Sequence, residues 1–192
     1  MNLPMLLTFF GDHEITYPLW AERKIDGVRC FIVVDDAGRG CAYSRNGNVL
    51  HAAQPLADVI AGCSMRGVYD GELDAGTWSK TCSAVKRQSP AGLRYVAFDH
   101  LGYGEWIDGG TERSIEARRM LLEHLADLPG IEVIESRLIT TDADMEKSFN
   151  DALAKGWEGL VAKRPGSPYT CGVRSRDWQK LKPCREDSCE SE

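Results

Sequence analysis

The stretch Glu22-Arg23-Lys24-Ile25-Asp26-Gly27-Val28-Arg29 places a lysine shortly before an Asp-Gly corner and closes with an arginine. At average residue usage, the pattern Lys-x-Asp-Gly-x-Arg arises by chance in roughly one chain of this length in several hundred. The residues that follow, 28–34, are rich in β-branched side chains and predict a strand. A charged turn leading into that strand would equally explain the motif. The motif therefore indicates chemistry only if partner residues recur elsewhere.

The composition is that of an ordinary globular protein. The chain has 192 residues, of which 43% are hydrophobic and 27% charged, a length and balance that suit one domain with its own core. No apolar run reaches the roughly 20 residues that a membrane helix needs. Residues 1–10 hold neither a basic segment nor a small-residue cleavage site. We therefore predict a cytoplasmic monomer with no membrane partner.

Charge and cysteine content further limit the classes of protein to which the chain can belong. A net charge of −6 argues mildly against a nucleic-acid partner, although the sum says little about a local basic groove. The cysteines are odd in number and form no C-x-x-C pair, which speaks against a disulfide framework and a structural zinc site. We predict free thiols at all seven: Cys30, Cys41, Cys63, Cys82, Cys171, Cys184 and Cys189.

The order of predicted elements indicates an α+β fold with a mostly antiparallel sheet. Residues 1–20 read as a lead-in that packs beside the first strand, and residues 76–92 as a loop with a helical turn. Helices are predicted at 54–61, at 114–128 with Ser114 as the cap, and from Thr141 or Asp142 to Lys155. Strands are predicted at 28–34, 41–45, 48–51, 67–73, 93–99, 131–139, 158–163 and 178–182, the first three forming a meander around Asn46-Gly47.

Two pairs of like charges recur on predicted strands. Asp70 with Glu72, and Lys180 with Lys182, are spaced i and i+2, so each pair lies on one strand face. Like charges at this spacing repel unless a group of opposite sign lies between them. A phosphate would suit the lysines, and a sugar hydroxyl or a divalent cation the carboxylates. A solvated sheet face is the alternative for each pair taken singly.

Taken together, these motifs resemble those of a known family over nearly the whole chain. The set is similar to the nucleotidyltransferase domain of ATP-dependent DNA ligases, within the covalent nucleotidyltransferase superfamily. The blocks that carry the resemblance, in order, are Lys24 to Arg29, Ser44-Arg45-Asn46-Gly47, Asp70-Gly71-Glu72-Leu73, Phe98-Asp99, Gly156-Trp157-Glu158-Gly159-Leu160-Val161-Ala162-Lys163, and Arg174-Ser175 with Trp178-Gln179-Lys180-Leu181-Lys182. Arg113 and Arg118 also flank the helix start where the family places arginines.

The resemblance implies an ATP-grasp-like domain, with mostly antiparallel sheets flanked by helices, over residues 1–182. Residues 183–192 form an acidic tail that we expect to be disordered. Family members usually continue into an OB-fold domain with a sixth, basic motif. Too few residues follow Lys182 to build one, so we expect the OB-fold domain to be absent. A separate OB-fold or clamp protein is then an expected partner, together with nicked duplex DNA.

The resemblance also implies a role for each motif residue. Lys24 would attack the α-phosphate of ATP and carry AMP, with Mg²⁺ or Mn²⁺ as the metal. An unperturbed lysine is only about 0.1% neutral near pH 7.4, a handicap of about 4 kcal/mol, so nearby cations must lower its pKa. The other implied roles are adenine recognition by Glu22, stacking by Phe98, ribose contacts by Arg29 and Glu72, phosphate contacts by Arg45, Lys180 and Lys182, metal binding by Glu158 and Glu72, and support from Asp26 and Asp70.

The function implied is a minimal or catalytic-domain ATP-dependent DNA ligase that seals nicks between a 5′-phosphate and a 3′-hydroxyl in replication, repair or recombination. An RNA-end ligase and a GTP-using capping enzyme share the first motif and stay as alternatives. An NAD-dependent ligase is disfavoured by Arg29 and by the lack of a nicotinamide-binding segment before Lys24. A non-catalytic nucleotide- or nick-binding module is the alternative of another class. The histidines fit no role and are predicted to be surface or satisfied polar residues: His13, His51, His100 and His124.

Overall fold

The computed structural model describes residues 1–63 and 65–183 and contains two five-stranded sheets and one two-stranded sheet. The strands are β1 (Leu6–Phe9), β2 (Leu19–Arg23), β3 (Val28–Val34), β4 (Gly40–Ser44), β5 (Gly67–Asp74), β6 (Arg94–Leu101), β7 (Gly110–Thr111), β8 (Ile131–Val133), β9 (Ser136–Ile139), β10 (Leu160–Lys163), β11 (Tyr169–Thr170) and β12 (Arg174–Leu181). The α-helices are α1 (Gln54–Ala61), α2 (Trp78–Lys86), α3 (Tyr103–Ile107), α4 (Ile115–Met120) and α5 (Asp142–Ala154).

Sheet A has the strand order β1-β12-β10-β2-β9. β1 pairs with β12 in parallel, with Leu6 opposite Arg174, whereas β10 runs antiparallel to both β12 and β2. Because side chains alternate across a strand, β2 and β10 present two different faces. One face carries apolar residues that pack against Met145 and Ala152 of α5. The opposite face carries Glu22 and Lys163 and lines a pocket.

Sheet B has the order β4-β3-β5-β6-β8, with β8 parallel to β6. One of its faces is covered by α1 and by the segment that follows α4, where Ile60 and Leu122 are fully buried. Its other face meets sheet A through a cluster that contains Phe31 of β3 and Trp178 of β12. The two sheets therefore pack face to face, and the pocket side of sheet A opens between them.

The predicted α+β class and the mostly antiparallel sheets are confirmed, and α1 and β3 have the predicted bounds. Ser114 caps α4 as predicted, because its hydroxyl accepts from the backbone N–H of Ala117. That helix ends at Met120, and a 3₁₀ turn at Glu123–Leu125 follows it. The strand predicted at 48–51 is wrong, since a single bridge joins Tyr43 to Val49.

Three further predictions are corrected. The lead-in over residues 1–20 contains β1 and the start of β2. The loop predicted at 76–92 holds the nine-residue α2, which Thr77 caps by accepting from the N–H of Lys80. Residues 131–139 form two strands in different sheets, because the chain crosses from β8 to β9 at residues 134–135.

The five cysteines in the described part are free thiols, as predicted. His100 differs from its prediction: it is 2% exposed and neither ring nitrogen has a hydrogen-bond partner. Within residues 1–63 and 65–183, no helix has the length and apolar character needed to cross a membrane. Residues 184–192 of the predicted tail lie outside the described residues.

Candidate active site

Lys24 follows the end of β2 and lies beside the start of β10. Its backbone N–H donates to the carbonyl of Gly159 over 3.0 Å. The Asp-Gly corner after it needs glycine, because a Cβ on Gly27 would lie 2.1 Å from the carbonyl oxygen of Leu73. The corner therefore fixes the approach of the lysine segment to β5.

The Lys24 side chain meets a carboxylate. Its Nζ lies 2.5 Å from Oε2 of Glu158, and the ammonium of Lys182 contacts Oε1 of the same residue. Burial alone would raise the pKa of Glu158, but hydrogen bonds from Lys182 and Lys24 outweigh it and hold that pKa below its usual value. Glu158 thus holds the predicted nucleophile Lys24 and the predicted phosphate-binding Lys182 at one place.

A third lysine extends this positive cluster. Burial and the charges of Lys182 and Lys24 lower the pKa of Lys180. The charge of Arg45 acts in the same direction, although Arg45 itself is exposed and does not line the pocket. The Nζ of Lys180 lies 3.9 Å from the ring centre of Phe9 on β1. This concentration of cations suits a polyphosphate.

Next to the lysines lies a cavity of about 40 Å³ between the two sheets. Small-molecule pockets usually measure on the order of 300–1,000 Å³, so side chains around this cavity must move to admit a nucleotide. The guanidinium carbon of Arg29 lies 4.6 Å and the Nζ of Lys163 lies 4.8 Å from the ring centre of Phe98. The predicted residues that line it together are Glu22, Lys24, Arg29, Glu72 and Phe98.

Glu22 is held by three side chains at the wall of this cavity. It is 3% exposed, and Oε1 accepts from the hydroxyl of Ser136 over 3.1 Å. The guanidinium of Arg119 donates to the same oxygen. The Nζ of Lys163 lies 2.6 Å from Oε2. None of these three partners was predicted from the sequence. For Lys163 a signal existed, because its i and i+2 spacing from Val161 places both side chains on the pocket side of β10.

Arg29, which is predicted together with Glu72 to contact the ribose, pairs with the carboxylate of Asp70. Its Nε and Nη2 donate to Asp70 over 2.7 and 2.6 Å, and the hydroxyl of Tyr169 donates to Asp70 over 2.6 Å. Asp70 is fully buried, so its role is to orient Arg29. Glu72 lies opposite Arg29 on β5, and burial raises the pKa of Glu72 to about 7.

Asp26 is exposed and accepts a long hydrogen bond, 3.4 Å, from the backbone N–H of Trp78 at the start of α2. It lines a small groove of about 100 Å³ together with Lys24 and Glu158. The carboxylate is therefore near the lysine segment, but in this arrangement it serves the helix start.

The described protein side chains alone do not form a complete metal site. Across residues 1–63 and 65–183, no three His, Cys, Asp or Glu side chains group in an arrangement that could hold a metal ion. Mg²⁺ is usually bound by one or two carboxylates together with phosphate oxygens and water. Glu158 offers one such carboxylate, and each of its oxygens contacts a lysine ammonium beside the cavity.

Comparison with known proteins gives a consistent set of relatives. Residues 72–182 match the family model described as the ATP dependent DNA ligase domain. The chain is 31% identical over 184 residues to a probable DNA ligase of Sorangium cellulosum, covering 85% of this chain and 33% of that protein. It is 32% identical over 191 residues to the multifunctional non-homologous end joining DNA repair protein LigD of Mycobacterium tuberculosis, covering 93% of this chain and 24% of that protein.

Among solved structures, the mycobacterial DNA ligase D complexed with ATP superposes with a TM-score of 0.71 at 27% identity. The match covers 96% of this chain and 61% of that one. The chain therefore spans at most about a third of the length of the two sequence relatives named above.

Proposed function

Because the chain belongs to the ATP-dependent DNA ligase domain family, we propose that it attaches AMP from ATP to its own Lys24 and passes that AMP to a 5′-phosphate at a nick in duplex DNA. The observation that carries the proposal is the position of Lys24, which shares the Glu158 carboxylate with Lys182 at the mouth of the cavity that holds Glu22 and Phe98.

In the first step, the neutral amine of Lys24 attacks the α-phosphorus of ATP. The bond from nitrogen to phosphorus forms as the bond to the bridging oxygen breaks, and pyrophosphate leaves. The amine first gives its proton to solvent water, and the ammonium groups of Lys180 and Lys182 lie beside it. The same two ammonium groups stabilise the charge that develops on the α-phosphate.

The nucleotide is held by residues of both sheets. The base lies between the sheets with Phe98 stacked on it and Glu22 accepting from its amino group. Arg29, oriented by Asp70, and Glu72 hold the ribose. Arg45 reaches from the exposed end of β4 towards the phosphates and the DNA end.

Mg²⁺, when bound beside Glu158, would neutralise phosphate charge and orient the leaving pyrophosphate. Glu72 is the second carboxylate near that place, and Asp26 lies along the neighbouring groove. Metal binding there would compete with Lys24 and Lys182 for the Glu158 oxygens. Glu158 would then give up its ion pair with Lys24.

In the later steps, the DNA 5′-phosphate takes AMP from Lys24, and the 3′-hydroxyl then displaces AMP to form the phosphodiester bond. The partners in this scheme are nicked duplex DNA and an OB-fold or clamp protein that holds the duplex. Residues 1–182 are the unit that carries the adenylate.

The experiment is incubation of the purified protein with α-labelled ATP and Mg²⁺, beside Lys24→Ala and with α-labelled GTP in parallel, followed by denaturing electrophoresis. We expect label from ATP on the wild type and none on Lys24→Ala. Label from GTP in place of ATP would assign a capping-type activity. A folded wild type that takes no label but binds nicked DNA would assign a binding module and overturn the proposal.

A further inference from the structure

The Glu22 carboxylate is held more tightly than hydrogen bonding to a base requires. Ser136 and Arg119 share Oε1, and Lys163 faces Oε2 at 2.6 Å. A carboxylate that is 3% exposed loses most of its hydration, and this cost is offset when cations and donors surround it. The arrangement leaves Glu22 with a fixed direction for its remaining lone pairs.

Arg119 ties this carboxylate to the link between the two sheets. Its second terminal nitrogen, Nη2, donates to the carbonyl of Ile134 over 2.9 Å. Ile134 lies at the crossing from β8 to β9 and lines the same cavity as Glu22. One guanidinium therefore fixes both the carboxylate and the backbone beside it, which its planar fork of donors allows.

Lys163 holds the other oxygen from inside the fold. The residue is 1% exposed, and its Nζ lies 4.8 Å from the ring centre of Phe98 and 4.2 Å from that of Trp178. Its distance to Glu22 is that of an ion pair, but its angle is poor for a hydrogen bond. Lys163 therefore supplies charge to the carboxylate, whereas Arg119 and Ser136 supply direction.

We propose that Arg119, supported by Lys163, is the positioning residue that makes this site select adenine over guanine. The inference rests on the proposed function, in which Glu22 faces the 6-position of the purine. Adenine carries an amino donor there and guanine a carbonyl acceptor. An ionised carboxylate can only accept, so a fixed and ionised Glu22 meets guanine with two acceptors face to face.

Without Arg119, the carboxylate loses its fixed direction and part of its compensating charge. It could then rotate away from the guanine carbonyl. Discrimination of this kind is large when a buried polar group is left unpaired by the wrong ligand. Loss of Arg119 therefore weakens the preference between bases more than it weakens nucleotide binding in general.

The test is calorimetric titration of AMP and GMP into the wild type and into Arg119→Met, Arg119→Lys and Ser136→Ala. Arg39→Met is the matched control, since Arg39 pairs with Asp35 on an exposed turn and lines neither the cavity nor the groove beside Lys24. We expect the wild type to prefer AMP and Arg119→Met to lose at least tenfold of that preference. Arg119→Lys should recover part of it, and Arg39→Met should behave as the wild type.

A folded Arg119→Met that keeps the full preference for AMP would overturn the inference. So would a wild type that binds AMP and GMP equally. If Arg119→Met does not fold, Ser136→Ala decides, with an expected loss of about threefold in preference and an unchanged preference counting against the inference. Because the titration needs no covalent step, a wild type that prefers AMP but forms no lysine adenylate would contradict the proposed function alone.

Discussion

The Nζ of Lys24 lies 2.5 Å from Oε2 of Glu158. In this arrangement the lysine is held by the charge of a carboxylate that Lys182 also contacts. If Glu158 binds a metal, as proposed, it would exchange its contact with Lys24 for one with the metal. Glu158 would then hold Lys24 in the empty site and the metal in the loaded one.

Glu158→Gln is expected to lower the rate of lysine adenylate formation at least tenfold while the fold stays intact. The amide keeps the size of the side chain but loses the charge that binds a metal and organises Lys24 with Lys182. Labelling with α-labelled ATP measures the rate, and circular dichroism checks the fold. Glu146→Gln, an exposed change on α5, is the control, and equal labelling of both variants would refute the role of Glu158.

Lys182→Ala is expected to reduce adenylate formation at least tenfold. In the proposed mechanism, the change removes one of the two cations that would stabilise charge on the α-phosphate. It also leaves Glu158 with Lys24 as its remaining lysine partner. The measurement is the same labelling time course, with Lys147→Ala on the exposed side of α5 as the control. Normal labelling of Lys182→Ala would remove this lysine from the phosphate site.

Asp99→Ala is expected to destabilise the fold by about 3–5 kcal/mol, the usual result of leaving one member of a buried ion pair without its partner. Arg118 and Asp99 are both fully buried, and the guanidinium donates to Asp99 over 2.8 and 3.0 Å. Urea denaturation measures the free energy of unfolding. The exposed pair of Asp35 and Arg39 is the comparison, and a loss in Asp99→Ala no larger than that in Asp35→Ala would contradict the expectation.

Acid should destabilise the protein through His100. Burial lowers the pKa of His100 to about 4 from its ordinary value of 6.5. Between these two values the unfolded chain binds a proton that the folded chain does not, so stability falls as pH falls from 6.5 to 4, by up to about 3 kcal/mol.

The pH dependence is checked by urea denaturation of the wild type and His100→Phe at several pH values. The variant should lose less stability than the wild type on acidification, because phenylalanine fills a similar space beside Tyr69 without titrating. His51→Phe, at an exposed position, should keep the pH dependence of the wild type. Parallel curves for the wild type and His100→Phe would show that another group titrates.

Much of this architecture could be predicted from the sequence where local signals were strong. Residues 28–34 carry a β-branched run, and Gln54-Pro55 opens an apolar helical stripe, so both elements were predicted with correct bounds. The family resemblance was confirmed because its motifs depend on residue identity and order. The prediction of one strand at residues 131–139 was wrong, since apolar content predicts a strand but not which sheet each half joins.

The candidate site also contains residues that the sequence predicts and residues that it does not. Five of the residues predicted from the motifs lie together at one cavity. Arg119 lies on a helix between motifs, and nothing in its neighbours along the chain signals a contact with Glu22, 97 positions away. The ion pair of Arg29 with Asp70 was not predicted, because it belongs to a buried network that the hydroxyl of Tyr169, 99 positions from Asp70, completes. The ribose contacts of Arg29 and Glu72 stay a prediction.

The parallel pairing of β1 with β12 has a consequence for synthesis on the ribosome. All strands of sheet B lie within residues 28–133, so this sheet can form while the rest of the chain is still being made. In sheet A, Leu6 pairs with Arg174. Closing so long a loop costs conformational entropy before the strand contacts form, so this pairing is expected to form late. The sheet that presents Lys24 is therefore completed only after residues 174–181 have emerged, later than sheet B.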